Sequence, residues 1–257
     1  MLVDCFMFYN ELDVLELRLS ILDSKVDRFV LVESEVTHAG QPKELIFEQN
    51  KARYAKWAHK IVHIVARNMP TDENPWSREK YQRACALDGL WRAATIDGTD
   101  VYEVPDDAHV MISDVDEIPD LTRFDPMPEK TTACHMHMFE YSFKYTFTGE
   151  PWFGTVITHA KEFRKLGPNF FRDNRWRFGA ALLAGWHLSS FGDAKHVHTK
   201  VHTYAHAKDP GKHAHQTLEV IDDILAKGLH HDGKTPLIPT PPETRMPPGW
   251  ETFMARP

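Results

Sequence analysis

His109-Val-Met-Ile-Ser-Asp114-Val-Asp116-Glu117-Ile-Pro119 is the stretch that decides how this chain is read. Its first five residues make a short, mostly apolar run of the kind that forms a buried strand, and the run empties into two carboxylates at i and i+2. In an α/β sheet such a strand delivers its last residues to the carboxyl edge, where ligands of these folds bind. Side chains at i and i+2 of an extended segment point the same way, so Asp114 and Asp116 can share one divalent cation with the phosphates of a nucleotide. Without that cation their mutual repulsion is costly. The plain alternative is a polar turn, with Asp as a cap and Pro119 as the breaker.

Working outward, residues 2–9 form an apolar run, after which Leu12, Leu15, Leu19 and Leu22 recur at helical spacing. Residues 27–33 and 60–65 are further β-branched runs, with a helix-like stretch over 48–59 between them. Asn74-Pro75-Trp76-Ser77 opens a helix with an N-cap and a proline, and Tyr81, Ala84, Leu87 and Leu90 continue it toward residue 94. Three strand-helix steps ahead of the motif strand predict an α/β fold with a mostly parallel central sheet. Beyond the motif, residues 131–147 alternate like one long, half-exposed strand. Residues 185–191 suggest another strand, and 194–207 and 216–227 suggest helices. Pro236, Pro239, Pro241, Pro242, Pro247 and Pro248 forbid regular structure near the end. The expected organisation is a single domain over 1–234 followed by an extended Pro-rich strap or tail over 235–257.

The chain has 257 residues, 42% of them hydrophobic and 26% charged, which suits an ordinary globular protein with a sizeable core. Thirty Lys and Arg against 37 Asp and Glu leave a net charge of −7, so no global positive field exists to hold nucleic acid or anionic lipid. No apolar run approaches the ~20 residues of a membrane span. The first residues already read as a strand and lack the basic start of a signal peptide, so a cytoplasmic location is expected. Cys5, Cys85 and Cys134 are odd in number and set among apolar residues, and they are expected to be buried, reduced thiols.

Several motifs occur in order over residues 4–207: Asp4-Cys5-Phe6, Asn10-Glu11-Leu12-Asp13, Leu15-Glu16-Leu17-Arg18-Leu19, Phe29-Val30-Leu31-Val32-Glu33, Thr37-His38 with Gly40, the Asp114 to Pro119 motif, and Ala184-Gly185-Trp186-His187. Together they resemble glycosyltransferase family 17. The resemblance implies a GT-A-like α/β/α sandwich with a nucleotide-binding N-terminal half. It implies a UDP-sugar donor, with GlcNAc favoured, a glycan acceptor, and Mn²⁺ or Mg²⁺ held by a DxD motif. It also implies inversion at the anomeric carbon.

Carried over by position, Asp116 resembles the metal-binding carboxylate and Asp114 the one nearer the ribose and the metal. Glu117, the next motif residue, either acts directly or orients the loop. Asn10, Glu11 and Glu33 end the first two strands, where base and ribose sit in this architecture; Glu33 is either an acceptor for uracil or part of a surface turn. Arg83 either faces the donor or lies on a solvated helix face. Among the 16 His residues, His198, His202 and His206 fall on one helical stripe, and His206 is the expected third metal ligand. His135 and His137 share one face of a strand, and His187 is either part of the motif or a packed core residue. Residues 161–177 hold six basic side chains against two acidic ones, interleaved with aromatics. Arg172, Arg175 and Arg177 are therefore expected at the departing diphosphate, on a mobile loop flanked by Gly154, Gly167 and Gly179. The same interleaving suits nucleic acid, against which the net charge argues. For the base that takes the acceptor proton, Glu140, Asp173 and Asp193 stay open. Two other readings remain. One is a haloacid-dehalogenase-type phosphatase with Asp114 as nucleophile and Asp116 as acid and base; the other is a carbohydrate-binding protein without turnover.

Overall fold

Three strand-helix steps open the computed structural model, which describes residues 1–91, 94–96, 99–101, 103–147, 151–208 and 216–254. The first half runs β1 (Leu2–Met7), α1 (Leu12–Leu22), β2 (Arg28–Ser34), α2 (Ile46–Asn50), β3 (Ile61–Ala66), α3 (Pro75–Ala84) and α4 (Asp88–Trp91). A small hairpin of β4 (Ala94–Ile96) and β5 (Thr99–Val101) precedes β6 (His109–Asp114). The second half runs β7 (Glu117–Pro119), β8 (Thr132–Glu140), β9 (Ser142–Thr146), β10 (Trp152–His159), α5 (Ala160–Leu166), α6 (Pro168–Asp173), β11 (Gly179–Ala181) and β12 (Gly185–Ser189). It closes with α7 (Ala194–Thr203), α8 (Leu218–Ala226), β13 (Ile238–Pro239) and α9 (Trp250–Met254). No helix among the described residues is long and apolar enough to cross a membrane.

The strands join in one mixed sheet of 11, ordered β13-β9-β8-β10-β6-β1-β2-β3 with β7, β11 and β12 beside that path. Its β3-β2-β1-β6 portion is parallel, and β10 and β8 then add antiparallel. Parallel pairing recurs in the second half where β11 and β12 lie beside β8, and the other pairs of that half are antiparallel, so the sheet is mixed and not mostly parallel. The reason lies in the connections: β8, β9 and β10 follow one another through turns too short for a parallel crossover. Both faces are covered. Leu2, Phe6, Phe29, Leu31 and Met111 meet Leu15, Leu19 and the 46–57 helical segment on one side. Val3, Cys5, Val30, Val110 and Ile112 meet Leu90, Phe163 and Phe171 on the other. That alternation of strand residues between two cores is why β1 is buried along its whole length.

Four further expectations change. The stretch over 131–147 is two strands, because Tyr141 takes a left-handed φ of 62° and turns β8 back into β9. The Pro-rich end does carry regular structure: Ile238 and Pro239 pair with the edge of β9, where a proline needs no ladder partner, and α9 packs on α1. The basic segment over 161–177 is not a loop, since α5, α6 and a single 3-10 turn (Arg175–Arg177) occupy it. Gly154 lies inside β10, where a Cβ would stand 2.5 Å from Met136 Sδ, so it serves close packing and not a hinge. Among the cysteines, Cys5 and Cys134 are buried and Cys85 is only half-buried.

Candidate active site

The order of the parallel strands places a topological switch point between β1 and β6, since β2 and β3 lie on one side of β1 and β6 on the other. Met7 and Asp114 are register partners at the carboxyl edge of that pair. From there the chain turns through Val115 and Asp116 into β7. A single buried side chain holds this turn from below. Arg18 of α1 forks onto Asp4 of β1 at 2.8 and 2.7 Å and donates to Ser113 Oγ at 2.6 Å. Its remaining nitrogen donates to the carbonyls of Asp114, Val115 and Glu117 at 3.2, 3.2 and 2.8 Å.

Glu117 is wholly buried and saturated. Its carboxylate accepts the Asp114 backbone N–H at 2.9 Å, the Trp152 indole at 2.9 Å and both terminal nitrogens of Arg172 at 2.7 and 3.1 Å. Arg172 reaches onward to Asp114 Oδ2 at 2.8 Å. Glu117 therefore orients the turn and aims Arg172. Burial alone would raise the Asp114 acid, but Arg172 and then Arg83, 4.0 Å away, outweigh it and hold the carboxyl below its ordinary value. Asp114 is 35% exposed, yet its Oδ1 is buried and accepts no hydrogen bond.

Asp116 is served from the opposite side by Lys200 of α7 at 3.3 Å and His187 of β12 at 3.7 Å. Burial opposes ionisation here too, but these two cations keep Asp116 well below the usual carboxylate range. In return, burial pulls His187 and Lys200 down while Asp116 more than restores both, so each ends above its ordinary value. His187 reaches this place because β12 pairs antiparallel with β7, setting Gly185 opposite Pro119, Trp186 opposite Ile118 and His187 opposite Glu117. The two motifs, Asp114 to Pro119 and Ala184 to His187, thus form one ladder. A Cβ on Gly185 would lie 2.5 Å from the Ile118 carbonyl, so this position accepts glycine alone. His187 stacks on Trp152 at 4.8 Å, and Arg175 lies over Trp152 and the exposed Trp176 at 5.1 and 4.3 Å.

The family model of glycosyltransferase family 17 matches residues 1–236. The chain belongs to glycosyltransferase family 17. Among its curated relatives are the β-1,4-mannosyl-glycoprotein 4-β-N-acetylglucosaminyltransferases of Rattus norvegicus and Homo sapiens, each 28% identical over 214 residues. The Mus musculus protein of that name is 27% identical. These alignments cover 70% of this chain and 38% of each relative, so the chain spans well under half the length of the curated relatives it matches.

Within this family member, the expected site residues do not all gather in one place. Asp114, Asp116, Glu117, Arg83 and Arg172 come together at the turn, and Arg83 also donates to Glu79 and to Asn169 at 3.1 Å. Glu11 lies near Lys200, with its carboxylate accepting the Tyr9 and Asn10 N–H groups at 3.1 and 3.0 Å; Asn10 lies beside it after β1. Glu33 is enclosed: Phe47 N–H at 3.0 Å, His63 at 3.2 Å and Lys43 at 3.4 Å satisfy its carboxylate, which makes it a clasp for the 43–47 segment. Arg177 is exposed at the end of its turn. Asp173 pairs with Lys80 at 3.2 Å, and Asp193 caps α7 by accepting the His196 N–H at 2.8 Å. Glu140 is fully buried at the end of β8. His206 packs edge-on against Trp76 at 4.5 Å, and it does not form a three-ligand group with Asp114 and Asp116 among the described residues.

Arg18, Lys200 and Trp152 were not singled out from sequence. Lys200 carried a signal: Val197 and Val201 form the buried stripe of α7, and a lysine three residues after Val197 borders that stripe. Arg18 carried one as well, being a lone cation inside the apolar LELRL run.

Proposed function

We propose that this member of glycosyltransferase family 17 transfers a sugar, GlcNAc by preference, from a UDP-sugar to a hydroxyl of a glycan acceptor, with inversion and with Mn²⁺ or Mg²⁺ at the Asp114–Asp116 turn. One observation carries the reading: two carboxylates at the switch point of the sheet stand against Arg172 at 2.8 Å and against Lys200 and His187 at 3.3 and 3.7 Å, which favour their ionised forms, and one of them keeps an oxygen without a hydrogen bond. That orphaned Asp114 Oδ1, with two ionised carboxylates on one turn, fits the hard, oxygen-seeking cations Mg²⁺ and Mn²⁺. A cation held there would neutralise charge on the departing diphosphate.

The chain's own side chains supply the rest. Arg172, fixed by Glu117, keeps Asp114 charged and pointed. Lys200 and His187 do the same for Asp116. Arg175, braced between Trp152 and Trp176, adds fixed positive charge next to Arg172, whose carbonyl it contacts at 2.8 Å. The exposed face of Trp176 suits stacking on a sugar ring. The acetamido sugar and glycan acceptor are supported by the names of the relatives. A phosphatase would need Asp116 protonated at neutral pH to serve as its acid, and Lys200 and His187 oppose that.

The test is calorimetric binding of UDP with Mn²⁺, followed by transfer assays over a panel of nucleotide sugars and glycans. UDP should bind only with the cation, and Asp116→Asn, folded by circular dichroism, should lose that binding. Wild-type affinity in the variant, or equal affinity without metal, would overturn the assignment.

A further inference from the structure

Away from the Asp114–Asp116 turn, one group among the described residues meets the requirements for holding a metal ion. Glu140 at the end of β8 and His230 and His231 after α8 bring their ligand atoms within 4.8 Å of one another. Glu140 is fully buried, and neither carboxylate oxygen has a hydrogen bond of good geometry, although the Ser189 and Ser190 hydroxyls beside it stabilise the ionised form weakly. A buried carboxylate so poorly served is costly. Burial accordingly pushes the Glu140 acid up to about 7, although Lys200 pulls the other way.

The imidazoles stand on a built turn. Leu229 and Pro236 form a bridge, and His230 N–H donates to the Thr235 carbonyl at 2.8 Å. Asp232 accepts from the backbone of Lys234 and Thr235 at 2.8 Å each and from Thr235 Oγ1 at 2.6 Å. The Asp232 N–H donates to His230 Nδ1 at 3.4 Å and the Asp232 carboxylate lies 3.5 Å from the same nitrogen, so the turn fixes that ring. Leu237, next after the turn, is buried with Tyr141 and Val197.

We propose that Glu140, His230 and His231 form a site for a borderline transition-metal dication, Zn²⁺ by preference, which clamps the 229–236 turn onto the end of β8. One carboxylate and two imidazoles are a familiar zinc set, whereas Mg²⁺ and Ca²⁺ favour oxygen ligands only. Metal–ligand bonds of about 2.0–2.2 Å bring ligand atoms to between about 3 and 4 Å apart, so the three groups, within 4.8 Å of one another, would close further on the metal. The set contains neither Asp114 nor Asp116, so it stands or falls apart from the donor cation. His198 and His202 stack at 4.1 Å on α7 but acquire no third ligand among the described residues.

The experiment strips the full chain with EDTA and titrates ZnCl₂ against a chromophoric chelator, with Co²⁺ absorption as a second readout of ligand geometry. One tight equivalent is expected in the wild type, in Asp116→Asn and in the His198→Ala/His202→Ala double variant. His230→Ala, His231→Ala and Glu140→Gln, each folded by circular dichroism, should each bind at least about 10-fold more weakly. Should Glu140→Gln fail to fold, the two half-buried histidines decide. Absence of a tight equivalent in the wild type, undiminished affinity in both single histidine variants, or loss of the site in Asp116→Asn or in the α7 double variant would overturn the proposal.

Discussion

Replacing Arg18 by Met keeps the length and apolar stem of the side chain and removes only its guanidinium. The consequences can be worked from the contacts. Asp4, at zero exposure, loses the cation that meets both of its oxygens, and the carbonyls of Asp114, Val115 and Glu117 lose their shared donor. Breaking a buried ion pair from one side costs about 3–5 kcal/mol, and each stranded buried carbonyl adds about 1 kcal/mol at the low end. A loss of at least about 5 kcal/mol is therefore expected, a large share of the about 5–15 kcal/mol that holds a typical domain together. Urea unfolding followed by circular dichroism measures it. The double variant Arg18→Met/Asp4→Leu separates the two causes, because it removes the uncompensated charge and leaves the carbonyls unserved. It should regain most of the ion-pair loss, about 3 kcal/mol, and remain about 2 kcal/mol or more below wild type. UDP–Mn²⁺ affinity should stay weakened in the double variant, since the turn has still lost its support. If the single variant falls within about 1 kcal/mol of wild type, as an ordinary substitution does, or if the double variant matches wild type in both stability and binding, Arg18 does not hold the turn.

Arg172→Ala, folded by circular dichroism, should weaken UDP–Mn²⁺ binding at least about 10-fold in calorimetry, because Asp114 loses the guanidinium that holds it charged and pointed; wild-type affinity would show that Arg172 does not position that carboxylate. For Glu33, burial is outweighed by His63, the Phe47 N–H and Lys43, so its acid lies below the ordinary 4.5. Its contribution to stability is present above pH 4.5 and disappears as pH falls through the lowered value, so Glu33→Gln should flatten the loss of stability measured by urea midpoints between about pH 6 and pH 3. An unchanged acid slope would show that the clasp does not stay ionised. Burial pushes the thiols of Cys5 and Cys134 well up, and Cys85 is only half-buried. A thiol reagent should therefore label one site in the native protein, mapped by mass spectrometry to Cys85, and three after unfolding; rapid labelling of Cys5 or Cys134 would contradict the packing.

The elements legible in sequence were those whose periodicity is set locally. β1, α1, β2, β3, α3 and β6 fall where the apolar spacing puts them, and Asn74 does cap α3 by accepting the Trp76 N–H at 3.1 Å. Tyr141 escaped notice because a left-handed residue inside an alternating run leaves the alternation intact on either side of it. The prolines of the strap were misleading in the same way: at an edge they cost a strand nothing, and Trp186 donates its indole N–H to the Arg245 carbonyl at 2.7 Å to fasten the strap down. At the site, Asp114, Asp116 and Glu117 were visible as a motif, and Arg83 and Arg172 as candidates. Which cation serves which carboxylate was not, because Lys200 is 84 residues from Asp116 and Arg172 is 58 from Asp114. No local pattern encodes such a pairing.

The ladder between the Asp114–Pro119 and Ala184–His187 motifs also sets an order of events. β6 can pair with β1 once the first half of the chain exists, but the turn beyond it gains Trp152 35 residues on, Arg172 58 residues on and Lys200 84 residues on, each after the chain has folded back. Closing such distant contacts is entropically slow compared with the local steps that precede it. The parallel strands of the first half can therefore mature as a scaffold while Asp116 still lacks Lys200 and His187. The two carboxylates thus mature in sequence, and an N-terminal fragment ending before β12 would keep Arg83 and Arg172 for Asp114 while presenting Asp116 without His187 and Lys200.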